Sequence, residues 1–238
     1  MPTTVELLWG TAQRPTRGPK PALTLDGIVA SAIALADAEG LAGLSMQRLA
    51  QGLGFTKMSL YRYVPGKEQL TALMLDTAMG TPPEPGGKGW RADLRAWVEA
   101  IFARYRTHPW TIELTLGLRP IGPNELSWTE AALAATEGTG LTGPERLDTI
   151  VLLNGHARSL AQQVDSVGDS ANDQVVEQFT AMMSAAGDRF PAVSAAFAEE
   201  AASTSGGNDA FDFGVERILD GLAVLIERRG LVSGLRTP

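Results

Sequence analysis

Residues 44–63 read Leu44-Ser45-Met46-Gln47-Arg48-Leu49-Ala50-Gln51-Gly52-Leu53-Gly54-Phe55-Thr56-Lys57-Met58-Ser59-Leu60-Tyr61-Arg62-Tyr63. Ser45 and Thr56 are N-cap residues, and each opens a run of apolar positions at helical spacing. Met46, Leu49, Ala50 and Leu53 mark the first run; Leu60 and Tyr63 mark the second. Gly54 stands where a tight turn favours positive φ. Ala50 is small, as it must be if the next helix crosses close to it. Leu49, Leu53, Phe55 and Leu60 then close a small core. Two short helices joined in this way form a helix-turn-helix, whose second helix enters a DNA major groove.

Upstream, Thr24 caps a further helix through Ile28, Ala32, Ile33, Leu35 and Ala36, which Gly40 and Gly43 stop. Downstream, Val64-Pro65-Gly66 ends the second short helix, and a fourth is predicted over 67–79. Thr81-Pro82-Pro83-Glu84-Pro85-Gly86-Gly87-Lys88-Gly89 can continue neither a helix nor a central strand, so it reads as a linker. The first 22 residues, broken by Pro2, Gly10, Pro15, Gly18, Pro19 and Pro21, read as irregular. Their cluster Arg14, Arg17 and Lys20 suits either a solvated tail or a flexible arm on DNA phosphates or in a minor groove. Val5-Glu6-Leu7-Leu8-Trp9 is too apolar for a plain tail and is expected to dock on the body.

The remainder also reads as helix. One helix opens at Trp90 and carries Leu94, Trp97, Val98, Ile101, Phe102 and Tyr105 on a broad face, with His108-Pro109 ending it. Others are predicted from Asn124, as N-cap, to about Thr136, and from Pro144 to about Val164. Further helices are expected at 172–186, 191–202 and 210–229, with Ser203–Asn208 a polar loop. The fold class is therefore all-α, divided into an N-terminal arm (1–22), a helix-turn-helix DNA-binding domain (23–80), a linker (81–89) and a larger helical domain (90–238).

Composition excludes several functions. The 238 residues include no cysteine and two histidines, His108 and His156. Disulfides, a cysteine nucleophile and a Cys-ligated zinc are excluded, and a multi-His metal site within one chain has too few ligands. No run of ~20 uncharged apolar residues exists to span a membrane. No Gly-x-Ser-x-Gly, phosphate-binding glycine loop or His/acid metal spacing points to an enzyme. No cofactor is expected. With 20 Lys+Arg against 27 Asp+Glu the net charge is −7, which taken whole argues against nucleic acid. The charge is unevenly spread: residues 1–80 hold seven basic and six acidic residues, net +1, and residues 81–238 hold 13 and 21, net −8. The few positive charges of the head lie where phosphates would be met.

The run Leu44–Phe55, followed by Met58-Ser59-Leu60-Tyr61-Arg62-Tyr63-Val64-Pro65-Gly66-Lys67-Glu68-Gln69-Leu70, closely resembles the DNA-binding domain of the tetracycline-repressor (TetR) family over residues 22–80. Trp110 near a His-Pro, and Gly122-Pro123-Asn124, resemble a TetR-type C-terminal domain of the actinobacterial kind. The resemblance implies DNA contacts at Ser45, Met46, Gln47, Lys57, Met58, Ser59, Tyr61, Arg62, Tyr63 and Lys67. Chemistry agrees for several of these. Ser45 can bond a phosphate at a helix N-terminus, Arg62 can pair bidentately with guanine, and the Tyr61 and Tyr63 hydroxyls can reach phosphates. Tyr63, three residues after Leu60, suits the core equally.

In the larger domain, Asn154 and Arg158 lie four apart on one face of the 144–164 helix, with His156 on the other. By the resemblance one side would line a ligand cavity and the other a dimer interface. Ligand-lining candidates are Trp97, Tyr105, Trp110, Trp128, Asn154 and Arg158. Each also has a plain reading: aromatic core for the first four, internal hydrogen bonds or an ion pair for the polar pair, and a packed neutral ring for His156. The apolar face over 211–226 would complete a two-fold four-helix interface.

These features point to a cytoplasmic transcriptional regulator, a homodimeric repressor that leaves a pseudo-palindromic double-stranded operator when a small-molecule effector binds. The alternative is a ligand-independent DNA-binding regulator.

Overall fold

The computed structural model describes residues 2–11, 23–166, 172–202 and 209–234. Its elements are α1 (Thr4–Leu8), α2 (Leu25–Gly43), α3 (Met46–Leu53), α4 (Lys57–Tyr61), α5 (Lys67–Met79), α6 (Trp90–Thr107), α7 (Trp110–Leu114), α8 (Pro123–Ala135), α9 (Gly143–Ser166), α10 (Asn172–Ala186), α11 (Pro191–Ala202) and α12 (Asp209–Gly234). Among the described residues there is no strand, and no helix is long and apolar enough to cross a membrane. The basic cluster Arg14, Arg17 and Lys20 and the loop Ser203–Asn208 lie outside the described residues.

Local chemistry sets the head. The side chains of Thr24, Ser45 and Thr56 accept the backbone N–H of Gly27, Arg48 and Ser59, capping α2, α3 and α4. Gly54 ends α3 at φ 74°, a left-handed conformation that admits glycine without strain. Ile28, Ala32, Leu44, Leu49, Ala50, Leu60, Val64, Leu70 and Met74 form the buried core that holds α2–α5 together. Leu7 and Leu8 of α1 join that core, so the apolar stretch near the N-terminus docks chiefly on the head and not, as expected, on the body.

A second core forms the body, from Leu94, Trp97, Val98, Ile101, Tyr105, Leu153, Ala157, Val215 and Leu219 of α6, α9 and α12. Arg91 and Arg95 of α6 tie to Asp212, Glu216 and Asp220 of α12 on its surface. The two cores meet on α5. Leu70, Leu73, Met74 and Ala78 belong to the head, whereas Leu75 and Met79 belong to the body.

Three local expectations are corrected. The cap of α8 is Gly122, with Pro123 at the first helical position, and not Asn124. His108-Pro109 ends α6 as expected, but a short helix that was not expected, α7, follows with Pro109 as its N-cap. α1 forms where prolines and glycines suggested only irregular chain.

Candidate functional site

The helix-turn-helix presents α4 outward. Lys57, Met58 and Arg62 are exposed, Met58 by 74%, and the Lys57 ammonium lies 5.6 Å from the centre of the Tyr61 ring. Leu60 turns inward and is fully buried, which fixes the rotation of α4 about its axis. Tyr61 and Tyr63 are half-buried against the head core, so each anchors its ring and leaves part of its surface outside. The Ser59 hydroxyl lies 2.9 Å from that of Thr56, within the cap of α4. Gln47 is exposed on α3, and Ser45 at its N-terminus is half-buried.

Two resemblance-based positions have structural roles. Met46 is 6% exposed and packs in the head core, which leaves little of its side chain to meet a base. The Lys67 ammonium donates to the carbonyls of Leu41 and Leu44 at 3.3 and 2.9 Å, closing the C-terminal end of α2. Arg48, which points along the same face, is held bidentately by Glu39 at 2.5 and 2.7 Å, and this guanidinium keeps the Glu39 carboxyl below its usual range.

In the body five of the six ligand candidates form two groups, Trp97 with Trp128 and Tyr105 with Asn154 and Arg158. Trp97 and Trp128 meet edge to face at 6.0 Å, and the Trp97 indole N–H donates to the Trp128 carbonyl at 2.8 Å. The Tyr105 hydroxyl donates to Asn154 Oδ1 at 2.8 Å. Burial pushes the Tyr105 phenol above its usual range, with Arg158 near enough to oppose the shift. Trp110 is apart from them: it belongs to the head core, and its indole N–H donates to Asp37 Oδ1 at 2.6 Å. It is corrected from ligand wall to head–body contact. His156 packs on Phe211, with Nε2 3.0 Å from the Phe211 carbonyl oxygen.

The residues not foreseen are those of the head–body joint. Asp37 of α2 receives both Trp110 and the His108 Nδ1, 2.7 Å away. Asp76 of α5 accepts the Glu125 backbone N–H at 3.0 Å, and its own carbonyl accepts the Asn124 amide at 3.1 Å. The Asp76 side chain lies so close to Gly122 that a Cβ there would stand 2.2 Å from Oδ1. Glu125 is also paired with Arg119, whose Nε is buried without a hydrogen-bond partner among the described residues. The Trp128 indole completes the joint by donating to the Gly80 carbonyl at 2.9 Å. One signal for Asp76 was present: it is an acid inside the apolar run Leu73-Met74-Leu75-Asp76-Thr77-Ala78-Met79.

Residues 28–74 match the family of bacterial regulatory proteins of the tetR type, and residues 82–226 match the tetracycline repressor-like C-terminal domain. The chain belongs to the TetR family. It is 41% identical to the HTH-type transcriptional repressor DrrR1 of Streptomyces coeruleorubidus, over 95% of this chain and 87% of that one. The solved structure of the TetR-family protein ActR of Streptomyces coelicolor, in complex with actinorhodin, superposes with a TM-score of 0.71 at 25% identity, over 86% of this chain and 98% of that one. The class E tetracycline repressor of Escherichia coli is 22% identical over 87% of this chain and 94% of that one. As a TetR-family protein the chain is a DNA-binding transcriptional regulator with a ligand-binding C-terminal domain, not an enzyme.

Proposed function

We propose that this TetR-family chain is a homodimeric repressor, held on a pseudo-palindromic operator and released when a small molecule enters its helical body. The observation that carries the reading is the double membership of α5. Its residues Leu70, Leu73 and Met74 pack in the head and Leu75 and Met79 in the body. A displacement of the body helices therefore moves the recognition helix, which is what a coupling free energy between two sites requires. Asp37 and Asp76 make the joint discrete, since each is a hydrogen-bonded tie that is either made or broken.

The proposed DNA contacts are Ser45, Gln47, Lys57, Met58, Ser59, Tyr61, Arg62, Tyr63 and Lys67. Lys57, Arg62 and the outward surface of Met58 would meet base edges or phosphates, and the half-buried N-terminus of α3 at Ser45 would meet a phosphate. One short recognition helix reads only a few base pairs, so two copies are needed for useful specificity. A surface for the second copy is available. α9 and α12 expose Leu147, Val151, Leu152, Phe213 and Val224 beside a groove of about 400 Å³ lined by Leu152, Ile218, Leu222 and Leu225. A protein working on an operator in this way would act in the cytoplasm.

For the effector we propose the region of Trp97, Tyr105, Trp128, Asn154 and Arg158, joined by Arg119. Arg119 and Arg158 suit a ligand rich in acceptor oxygens, and the indoles suit a flat apolar body. That ActR is found with actinorhodin supports a small-molecule effector here and puts actinorhodin first among compounds to try. A second reading, regulation without ligand, is favoured by one observation: Trp97, Tyr105, Trp128 and Asn154 already satisfy one another. Titration of the operator complex with polycyclic aromatic acids and quinones separates the two. Release at micromolar compound supports the effector; a complex indifferent to every compound while still bound to its palindrome supports the second reading.

A further inference from the structure

The apolar segment before residue 10 is not among the residues proposed above to read DNA or hold an effector, yet it has a defined structure. Thr3 and Glu6 form a reciprocal capping box around α1, with the Thr3 backbone N–H donating to Glu6 Oε2 at 2.7 Å. A five-residue helix is not stable alone, so its order comes from docking. Leu7 and Leu8 insert into the head core, α1 lies along α5, and Gln69 of α5 donates to Thr4 Oγ1 at 3.3 Å. Trp9, directly after the helix, does something different. It is 45% exposed, so it is not there chiefly to fill the core, and its indole N–H reaches the carbonyl of Ile121 at 3.2 Å. Ile121 lies in the connection between α7 and α8 and immediately precedes Gly122, against which Asp76 is packed.

We propose that α1 is a strap across the head–body joint: Leu7 and Leu8 anchor it to the head, and the Trp9 indole clips the α7–α8 connection of the body. The clip and the Asp76 tie hold the same five-residue stretch, 121–125, from two sides of the joint. α5 cannot shift relative to α8 without stretching one or both. Under the repressor reading, the strap sets how stiffly the heads follow the body.

The test is hydrogen exchange of the full-length protein, compared with Trp9→Phe and with a chain lacking residues 2–11. Trp9→Phe keeps an aromatic ring and removes the donor. It is expected to speed exchange of the 121–126 amides, Glu125 among them, by about three- to tenfold, the span of one ordinary hydrogen bond. Amides 67–74 should stay unchanged in Trp9→Phe. The truncated chain should speed exchange in both regions. Unchanged exchange over 121–126 in both variants would make α1 a packing element of the head alone and overturn the strap. A rise in the truncated chain only overturns the indole clip. Exchange reports on the joint whether or not an effector exists, so this outcome is separate from that of the repressor reading.

Discussion

The Asp76 carboxylate accepts the backbone N–H of Glu125 at 3.0 Å and so caps α8 from another helix. Gly122, the local N-cap, has no side chain to do this, and its lack of a Cβ is what lets Asp76 approach. Asp76 is 6% exposed, and burial raises its pKa above the usual carboxylate value.

Burial thus disfavours the charged form, while the cap needs only an acceptor oxygen. Asp76→Asn keeps that oxygen and is expected to match or exceed the parent in stability at neutral pH. Asp76→Ala leaves the Glu125 N–H unsatisfied and should cost about 1–3 kcal/mol. The raised pKa gives the sign of the pH effect. The Asp76 contribution is full below its unfolded pKa near ~4 and falls as pH rises through the higher folded value. Urea unfolding of the three proteins across pH checks both statements, and an Asn variant as weak as the Ala variant would mean the charge itself is required.

Glu145 behaves in the opposite sense. The Thr142 backbone N–H, then Arg229 and the Thr142 hydroxyl, lower its pKa to about 2. Its contribution is present above its unfolded value and is lost as pH falls through about 2. Glu145→Gln should therefore flatten the acid limb of the stability–pH curve and leave the rest of the curve's shape unaltered. An acid limb identical to the parent's would remove the capping box at the start of α9 from the acid response.

Met58 offers an exposed apolar surface on α4, the proposed recognition helix, and thymine alone carries a methyl group in the major groove. Replacing operator thymines one at a time by deoxyuridine should weaken parent binding at one position per half-site, and Met58→Ala should abolish that discrimination. Arg62→Ala is expected to cost about 1–3 kcal/mol at one G·C pair. A loss spread evenly over all operator variants would assign Arg62 to a phosphate instead. Binding titrations at fixed salt measure both.

Val151 is 69% exposed on α9, beside the groove between α9 and α12. Val151→Arg should leave helix content and the unfolding midpoint of dilute protein nearly unchanged and shift sedimentation from dimer to monomer. A variant that remains dimeric would place the two-fold interface elsewhere.

Much of this architecture is legible in the sequence because it is local. The caps Thr24, Ser45 and Thr56, the turn at Gly54 and the apolar spacing of α6, α9 and α12 each declare themselves within a few residues. What is not legible depends on distant partners. Periodicity shows that Met46 and Trp110 are apolar positions but not which core receives them. The cap of α8 arrives from Asp76, 49 residues before the amide it accepts. α1 is hidden by Pro2 and Gly10, and its order comes from contact with α5. Lys67 matches a family DNA contact, yet its ammonium is held by the carbonyls that end α2.

Charge divides with the domains. The net −7 of the whole chain is −8 over residues 81–238, a body that need not touch DNA, and +1 over residues 1–80, the head that carries α4. Few phosphate contacts and an acidic body together imply that non-specific DNA is held weakly and that salt acts on a small number of ion pairs.

The central claim, two heads reading one operator, is tested most directly by selecting random duplex DNA with the full-length protein and sequencing what it retains. The account predicts a pseudo-palindrome whose half-sites are centred about one helical turn apart, ~10 base pairs. Enrichment of a single asymmetric half-site, or of no sequence at all, would contradict it.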